Sequence, residues 1–499
     1  MTLRALARGS AIYAGGTMLA RVGGFLLLPI YLQLLTRAEY GLVALVTSIV
    51  GVLGILYRLG LDGALMRLHF DTAPTRRAGL YRTLLAATLG FAAAFTLILG
   101  VAVGPFFERI FFGVPFLPYG VLTLAIAFVG SADYVPAILY RATQQPGRFL
   151  AFNLGSFALS SACSLGLVAA GFGAPGALIG QLIGGGIMLI VAATIALRLP
   201  GGAWLPESLQ PALAFSLPLV PHQISTWTLR LSDRWLLGVL LALPTTGRLE
   251  AIGAYSVGYQ LGSVVTMVSS GFNAAWTPYL YRIGDGPLGP RIFRNVMTLT
   301  IAGFGWMALG LSAFAPEIVT VIADPGYGVA AQVLPVVAFG AACQATYTML
   351  VGIVFLRRQT RYLPPITVVS AVANVGLNVL LIPRLGVMGA ALTTLLSYAV
   401  FATLIFLFAR RIYPLDLDWP RLMLVAAVSV GGALLARLLD GPPGEIVVPG
   451  LLHAALVLGA TLLLAVIVRR PLRALRRDAG ATDISSDDAF SASSRTSDP

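Results

Sequence analysis

The sequence predicts an all-α polytopic membrane protein of about fourteen transmembrane helices, with two six-helix lobes in a pseudo-two-fold arrangement around a central cavity and two further C-terminal helices. Three observations carry this expectation: a composition too apolar for water, apolar runs recurring along the chain, and an internal repeat. Of the 499 residues 58% are hydrophobic and 11% charged, against about 25% charged in an ordinary soluble domain. Mean hydropathy is +0.87. Apolar runs of about 18 to 28 residues recur as far as Val468, separated by short stretches carrying arginine, glycine or proline.

The spans are expected to begin near Ser10, Tyr40, Leu80, Leu117, Phe149, Pro175, Leu213, Ile252, Val296, Gln332, Pro364, Val387, Leu422 and Val447. The first, Ser10 to about Leu34, is longer than a signal-peptide core and lacks a small-residue cleavage site, so it reads as a retained helix. Cys163 and Cys343 fall in separate apolar runs and read as small buried hydrophobes.

All 33 basic residues are arginine. With the amino terminus inside, the inner segments hold Arg4, Arg8, Arg67, Arg76, Arg77, Arg82, Arg141 and Arg148, then Arg282, Arg291, Arg294, Arg357, Arg358, Arg361, Arg410 and Arg411. The outer loops hold mainly Arg37, Arg109, Arg248, Arg384 and Arg437, an imbalance of roughly five to one that puts both termini in the cytoplasm. Because the +13 formal charge is dispersed among loops, it indicates topology and no nucleic-acid partner. Arg469, Arg470, Arg473, Arg476 and Arg477 are expected against anionic headgroups, and the Ser/Asp/Ala/Thr-rich tail from Asp478 is expected without fixed structure.

The repeat has a period of about 213 residues: Gly173-Ala-Pro-Gly176-Ala177 corresponds to Gly386-Val-Met-Gly389-Ala390, and Glu39-Tyr40-Gly41-Leu42 to Ala251-Ile252-Gly253-Ala254. Six spans separate the copies, an even number, so the copies should be parallel. The expected division is 1–204 (six spans), 205–412 (six spans), 413–470 (two spans) and the tail 471–499.

Charges inside spans are costly, about 2.5–3.5 kcal/mol for an arginine at a helix centre on insertion scales. Arg21, Arg230 and Arg234 qualify. In the seventh span His222, Thr226, Arg230 and Asp233 share one helical face, after Pro218 and Pro221, which suits a kinked, cavity-lining helix. Arg21, with Tyr13 and Thr17 on its face, lies one repeat before Arg234. The eighth span adds Tyr259, Ser263, Thr266, Ser270 and Asn273, which suit either helix packing or a polar wall. Structural pairing of Arg230 with Asp233, and a merely satisfied His222, are the plainer readings of those residues. Asp133 and Asp233 are candidates for coupling to an ion, with Asp62 and Glu317 behind them.

Several segments together resemble a known family. They are Leu35-Thr-Arg-Ala-Glu-Tyr-Gly-Leu42, Arg58-Leu-Gly-Leu-Asp-Gly-Ala-Leu-Met-Arg67, Leu231-Ser-Asp-Arg-Trp-Leu-Leu-Gly238 and Gly253-Ala-Tyr-Ser-Val-Gly258. In order and spacing they resemble the polysaccharide transporters, or O-antigen and oligosaccharide flippases, of the multidrug/oligosaccharidyl-lipid/polysaccharide exporter superfamily. The resemblance implies an alternating-access flippase of the bacterial inner membrane whose partner is a polyprenyl-diphosphate-linked oligosaccharide, beside membrane lipids and other polysaccharide-assembly membrane proteins. Arg21, Arg230 and Arg234 would then bind the diphosphate or an anionic sugar, to which guanidinium groups are suited by bidentate hydrogen bonds. Tyr13, Thr17, His222, Thr226, Asp233, Tyr259 and Asn273 would line the cavity.

Two relatives of that plan remain open: a lipid II flippase of peptidoglycan synthesis, and a cation-coupled multidrug antiporter, whose organic cations three intramembrane arginines would repel. A membrane-embedded transferase is not expected, since no catalytic constellation or metal-ligand spacing stands out. The sequence has no lysine and therefore no phosphate-cradling loop of the ATPase type, leaving an ion gradient, the membrane potential or downstream consumption of the substrate as driving force, with no cofactor.

Overall fold

The computed structural model describes residues 18–495 apart from 202, 285, 324 and 441–446. These residues are overwhelmingly helical, and no strand occurs among them. Ten helical stretches among the described residues are long and apolar enough to cross a membrane. One of them, Pro146–Leu197, holds the fifth and sixth spans, Pro146–Leu167 and Gly173–Leu197. The chain turns between the two at Gly171 and Gly173, whose φ of +88° and +54° lie in the left-handed region that glycine enters freely.

The expected spans missing from the ten are the first, seventh and eighth: Met18–Leu34, Val220–Leu240, and the pair Thr245–Gly262 and Val264–Ile283. The first is described only from Met18. The other two carry Arg230, Asp233 and the hydroxyl ladder, and that polarity keeps them below an apolar threshold. Observed helices start up to seven residues before the expected positions, most at Thr245 and Gly289. The tail departs from expectation, because the fourteenth helix runs Val447–Arg495. Its alanines and arginines are good helix formers, and extending an existing helix is far easier than nucleating one.

By chain path there are two compact units: Met1–Gln260, Val321–Val333 and Leu363–Ser397 form one, and Leu261–Thr320, Leu334–Tyr362 and Tyr398–Pro499 the other. In the first, Leu61, Leu80, Tyr81, Leu84, Val135 and Ile138 form a close-packed centre. In the second, the thirteenth and fourteenth spans pack on the ninth through Ala302, Val425 and Leu464 and through Leu309, Ala433 and Ala460. Trp306 Nε1 donates to Thr461 Oγ1 at 2.8 Å across that packing.

The segment Leu35–Leu42 shows why its residues recur together. Thr36 caps the second span, its Oγ1 accepting from Glu39 N at 3.3 Å while Glu39 Oε2 accepts from Thr36 N at 2.9 Å. Glu39 Oε1 also accepts from Ala174 N at 3.2 Å, at the start of the sixth span, where a carboxylate meets the positive end of a helix.

Gly41 lies against the eighth span, and the contact is reciprocal. A Cβ on Gly41 would stand 1.8 Å from the Leu249 carbonyl oxygen, and one on Gly253 2.5 Å from that of Arg37. Each glycine sits four residues beyond the equivalent of the carbonyl it faces in the other copy. Such reciprocity is the signature of a two-fold axis relating the copies of the repeat. Gly41→Ala or Gly253→Ala must push two backbones apart, an overpacking cost of about 1–3 kcal/mol. Each should lower the melting temperature of the detergent-solubilised protein by several degrees. Gly54→Ala, with nothing within 4 Å of its added Cβ, should not lower it; equal effects at all three sites would contradict the contact.

Candidate functional site

The seventh span is broken where its prolines require it. A short helix, Leu209–Ser216, passes through a 3-10 turn at Leu217–Leu219 into Val220–Leu240, with Pro221 in the first turn where its missing N–H costs nothing. Its hydroxyls turn inward on their own helix: Ser225 donates to Pro221 O at 2.8 Å, Thr226 to His222 O at 2.9 Å and Thr228 to Ile224 O at 3.0 Å. His222 is half-buried, and its Nδ1 has no hydrogen-bond partner among the described residues.

The three arginines fall into two kinds. Arg234 is buried, donates from Nη1 to Arg230 O at 2.9 Å, and lies over the rings of Tyr259 at 4.3 Å and Tyr255 at 5.4 Å. Desolvated cation–π contacts of this kind contribute about 2 kcal/mol. Its charge is thus held by a carbonyl and two aromatic faces, one belonging to Tyr259. Arg21 and Arg230 are exposed. Among the described residues neither makes an ion pair with a carboxylate. Tyr13 and Thr17 lie outside the described residues.

Asp233 makes no ion pair with Arg230 among the described residues and is completely buried. Tyr255 O–H donates to its Oδ2 at 2.6 Å, Thr394 Oγ1 reaches the same oxygen at 3.0 Å, and Asn378 Nδ2 donates to Oδ1 at 2.9 Å. The Tyr255 distance is that of a charge-assisted hydrogen bond. Behind this ring, Asn378 Nδ2 also reaches Asn374 Oδ1 at 3.2 Å, and Asn374 Nδ2 donates to Ser397 Oγ at 3.1 Å. Asn378 Oδ1 is buried and accepts no hydrogen bond among the described residues. Asp133 is paired instead: Arg58 Nη2 lies 2.7 Å from its Oδ1 and 2.5 Å from Gly130 O, while Arg58 Nε donates to Ser131 O at 3.1 Å.

Asn273 belongs to the second unit, half-exposed, with its carbonyl accepting from Thr277 Oγ1 at 2.8 Å. Of its neighbours on the ladder, Thr266 donates to Gln344 Oε1 at 3.0 Å and the exposed Ser270 to Thr266 O at 2.8 Å. No cluster of three or more histidine, cysteine or carboxylate side chains suited to a metal occurs among the described residues. Sequence reasoning missed Tyr255, Asn374, Asn378 and Thr394. The signal was present in two amides at helical spacing, Asn374 and Asn378, inside an otherwise apolar span.

Asp233→Ala would remove the acceptor shared by three buried donors; Tyr255 and Thr394 keep each other and Ala390 O, while Asn378 loses the partner of one N–H, at about 1–3 kcal/mol, whereas Asp233→Asn keeps an acceptor among them. The alanine variant should therefore yield far less monodisperse protein on size exclusion than the asparagine variant, and equal yields would contradict the ring of hydrogen bonds.

No curated protein matches the sequence. Among solved structures the chain is similar to the lipid II flippase MurJ in an inward closed conformation, with TM-score 0.68 and 14% identity over 92% of this chain and 99% of that one. It is similar to a MATE transporter in a straight conformation, with TM-score 0.57 and 16% identity over 83% and 96%. A Vibrio cholerae MATE transporter gives 0.55 and 15% over 82% and 96%. At these identities the likeness is one of fold: the chain has the helical architecture of those membrane transporters. The family of polysaccharide biosynthesis proteins matches residues 32–326, more than half the chain and including the second, seventh and eighth spans with Arg58, Arg230, Asp233 and Arg234. The chain belongs to that family of polysaccharide biosynthesis proteins.

Proposed function

We propose that the protein is a flippase that carries polyprenyl-diphosphate-linked oligosaccharide units from the cytoplasmic to the outer face of a bacterial inner membrane, by alternating access, for cell-surface polysaccharide synthesis. The observation that carries this reading is that Arg21 and Arg230, on the first and seventh spans, are exposed and make no ion pair with a carboxylate among the described residues. Charges without a counter-charge are unfavourable inside a membrane protein and become favourable when an anion binds them. A diphosphate offers paired oxygens for both guanidinium groups, while the polyprenyl tail stays in lipid. Each sugar hydroxyl would cost roughly 4–8 kcal/mol to strip of water in hydrocarbon, so the glycan needs a polar passage.

Family membership favours a polysaccharide precursor over lipid II, although the fold is shared with a lipid II flippase. The arginine pair disfavours an organic cation. In this reading both termini are cytoplasmic, the six-span division at 204 and 412 marks the moving lobes, and other polysaccharide-assembly membrane proteins are partners. Asp233 is the better placed coupling carboxylate, since hydroxyls and an amide hold its oxygens and it makes no ion pair among the described residues, whereas Asp133 is already paired with Arg58. Driving force would come from an ion gradient or the membrane potential.

Arg21→Ala and Arg230→Ala should each reduce surface polysaccharide by roughly tenfold or more, the loss of one charge-assisted contact, with protein abundance unchanged. Arg234→Ala should lower abundance, because its guanidinium packs on Tyr255 and Tyr259. Loss of abundance in the first two, by immunoblot of membranes, would assign them to folding and sink the reading.

A further inference from the structure

The first unit contains a second polar chamber that the arginine pair does not account for. A cavity of about 450 Å³ opens among the second, fourth, fifth, sixth and seventh spans, lined by Arg58, Asp62, Asp133, Ser156, Gln181 and Gln223. Ligand pockets measure about 300–1,000 Å³, so this volume suits a small organic group and is far larger than a bare ion needs. Gly54 and Gly130 line the same cavity, and an added Cβ on either would meet nothing within 4 Å.

The chemistry of the wall narrows the occupant. Arg58 is neutralised by Asp133 at 2.7 Å, and Asp62 adds a further carboxylate, so a diphosphate would be repelled. Asp62 Oδ1 is shut off from solvent and accepts no hydrogen bond among the described residues, so it is the residue's charge, and not that oxygen, that an occupant of the cavity meets. Gln181, Gln223 and Ser156 each both donate and accept. Carboxylate oxygens, amides and a hydroxyl facing one space match a ligand whose groups also donate and accept at once, namely a polyhydroxylated ring.

We propose that this cavity is a carbohydrate subsite, which holds sugar residues of the substrate by their hydroxyls while the diphosphate rests on Arg21 and Arg230. The inference rests on the flippase reading above and adds where the glycan sits. Gln223 and Arg230 stand seven residues apart on the seventh span, on one face and separated by two turns, about 10 Å of helix. That separation allows one molecule to engage both, its diphosphate at Arg230 and its first sugars at Gln223.

The test uses the full-length protein in lipid nanodiscs and native mass spectrometry, with two probes: bare polyprenyl diphosphate, and the polyprenyl-diphosphate-linked oligosaccharide extracted from the native cells. Gly54→Leu, which fills the cavity, and Asp62→Asn, which removes a negative charge from its wall, should each weaken binding of the glycosylated lipid by about tenfold. Both should leave binding of the bare lipid unchanged, which also reports that the variants are folded. Variants that weaken both lipids alike, or neither, overturn the subsite while leaving the flippase reading intact. Failure of the wild-type protein to bind either lipid overturns the flippase reading itself.

Discussion

Two helices in this protein touch backbone to backbone at Gly41 and Gly253, and much of the first unit depends on that approach. Any side chain at either position would collide with a carbonyl of the facing helix, at 1.8 Å from Leu249 O or 2.5 Å from Arg37 O. The contact joins equivalent points of the two repeat copies, so it also supplies the two-fold relation that the sequence period only implies. Thr36 and Glu39, immediately before it, cap the second span and tie it to the start of the sixth. One short motif therefore sets a helix start, a helix–helix crossing and an attachment to a third helix.

Within that frame, charge is distributed by how each group is satisfied. Arg234 is absorbed by two tyrosine rings and a carbonyl, Asp233 by a ring of donors from three other spans, and Arg58 by Asp133. Arg21 and Arg230 are left over. Neither makes an ion pair with a carboxylate among the described residues, and the cavity wall at Asp62, Gln181 and Gln223 offers polar groups to an occupant. The proposed substrate has an anion for the arginines and hydroxyls for the polar cavity wall, so one molecule with two chemically distinct ends suits both.

The positions of the spans along the chain were legible in the sequence, and rotation about a helix axis was not. The apolar runs located the spans to within about two turns, and the repeat set Gly41 opposite Gly253, which lie in contact. Yet Arg230 and Arg234, one turn apart, look alike in sequence; only the placement of Tyr255 and Tyr259 separates the exposed one from the buried one. Asp133 lacked a visible partner because Arg58 lies 75 residues away. The ring around Asp233 draws on Asn378 and Thr394, which nothing in a single sequence links to the seventh span. The tail failed for a different reason: its composition suits solvent, but it continues from a helix already formed.

The central claim, that the transported molecule is a glycan on a polyprenyl diphosphate, is tested most directly by mass spectrometry of the lipid fraction from cells in which this gene is deleted. Early glycan assembly should be held under a switchable promoter, to avoid toxic build-up. Accumulation of an oligosaccharide on polyprenyl diphosphate, reversed by the wild-type gene and not by Arg230→Ala, is the expected result. An unchanged lipid profile together with new sensitivity to cationic drugs would contradict the account and favour extrusion of small cations.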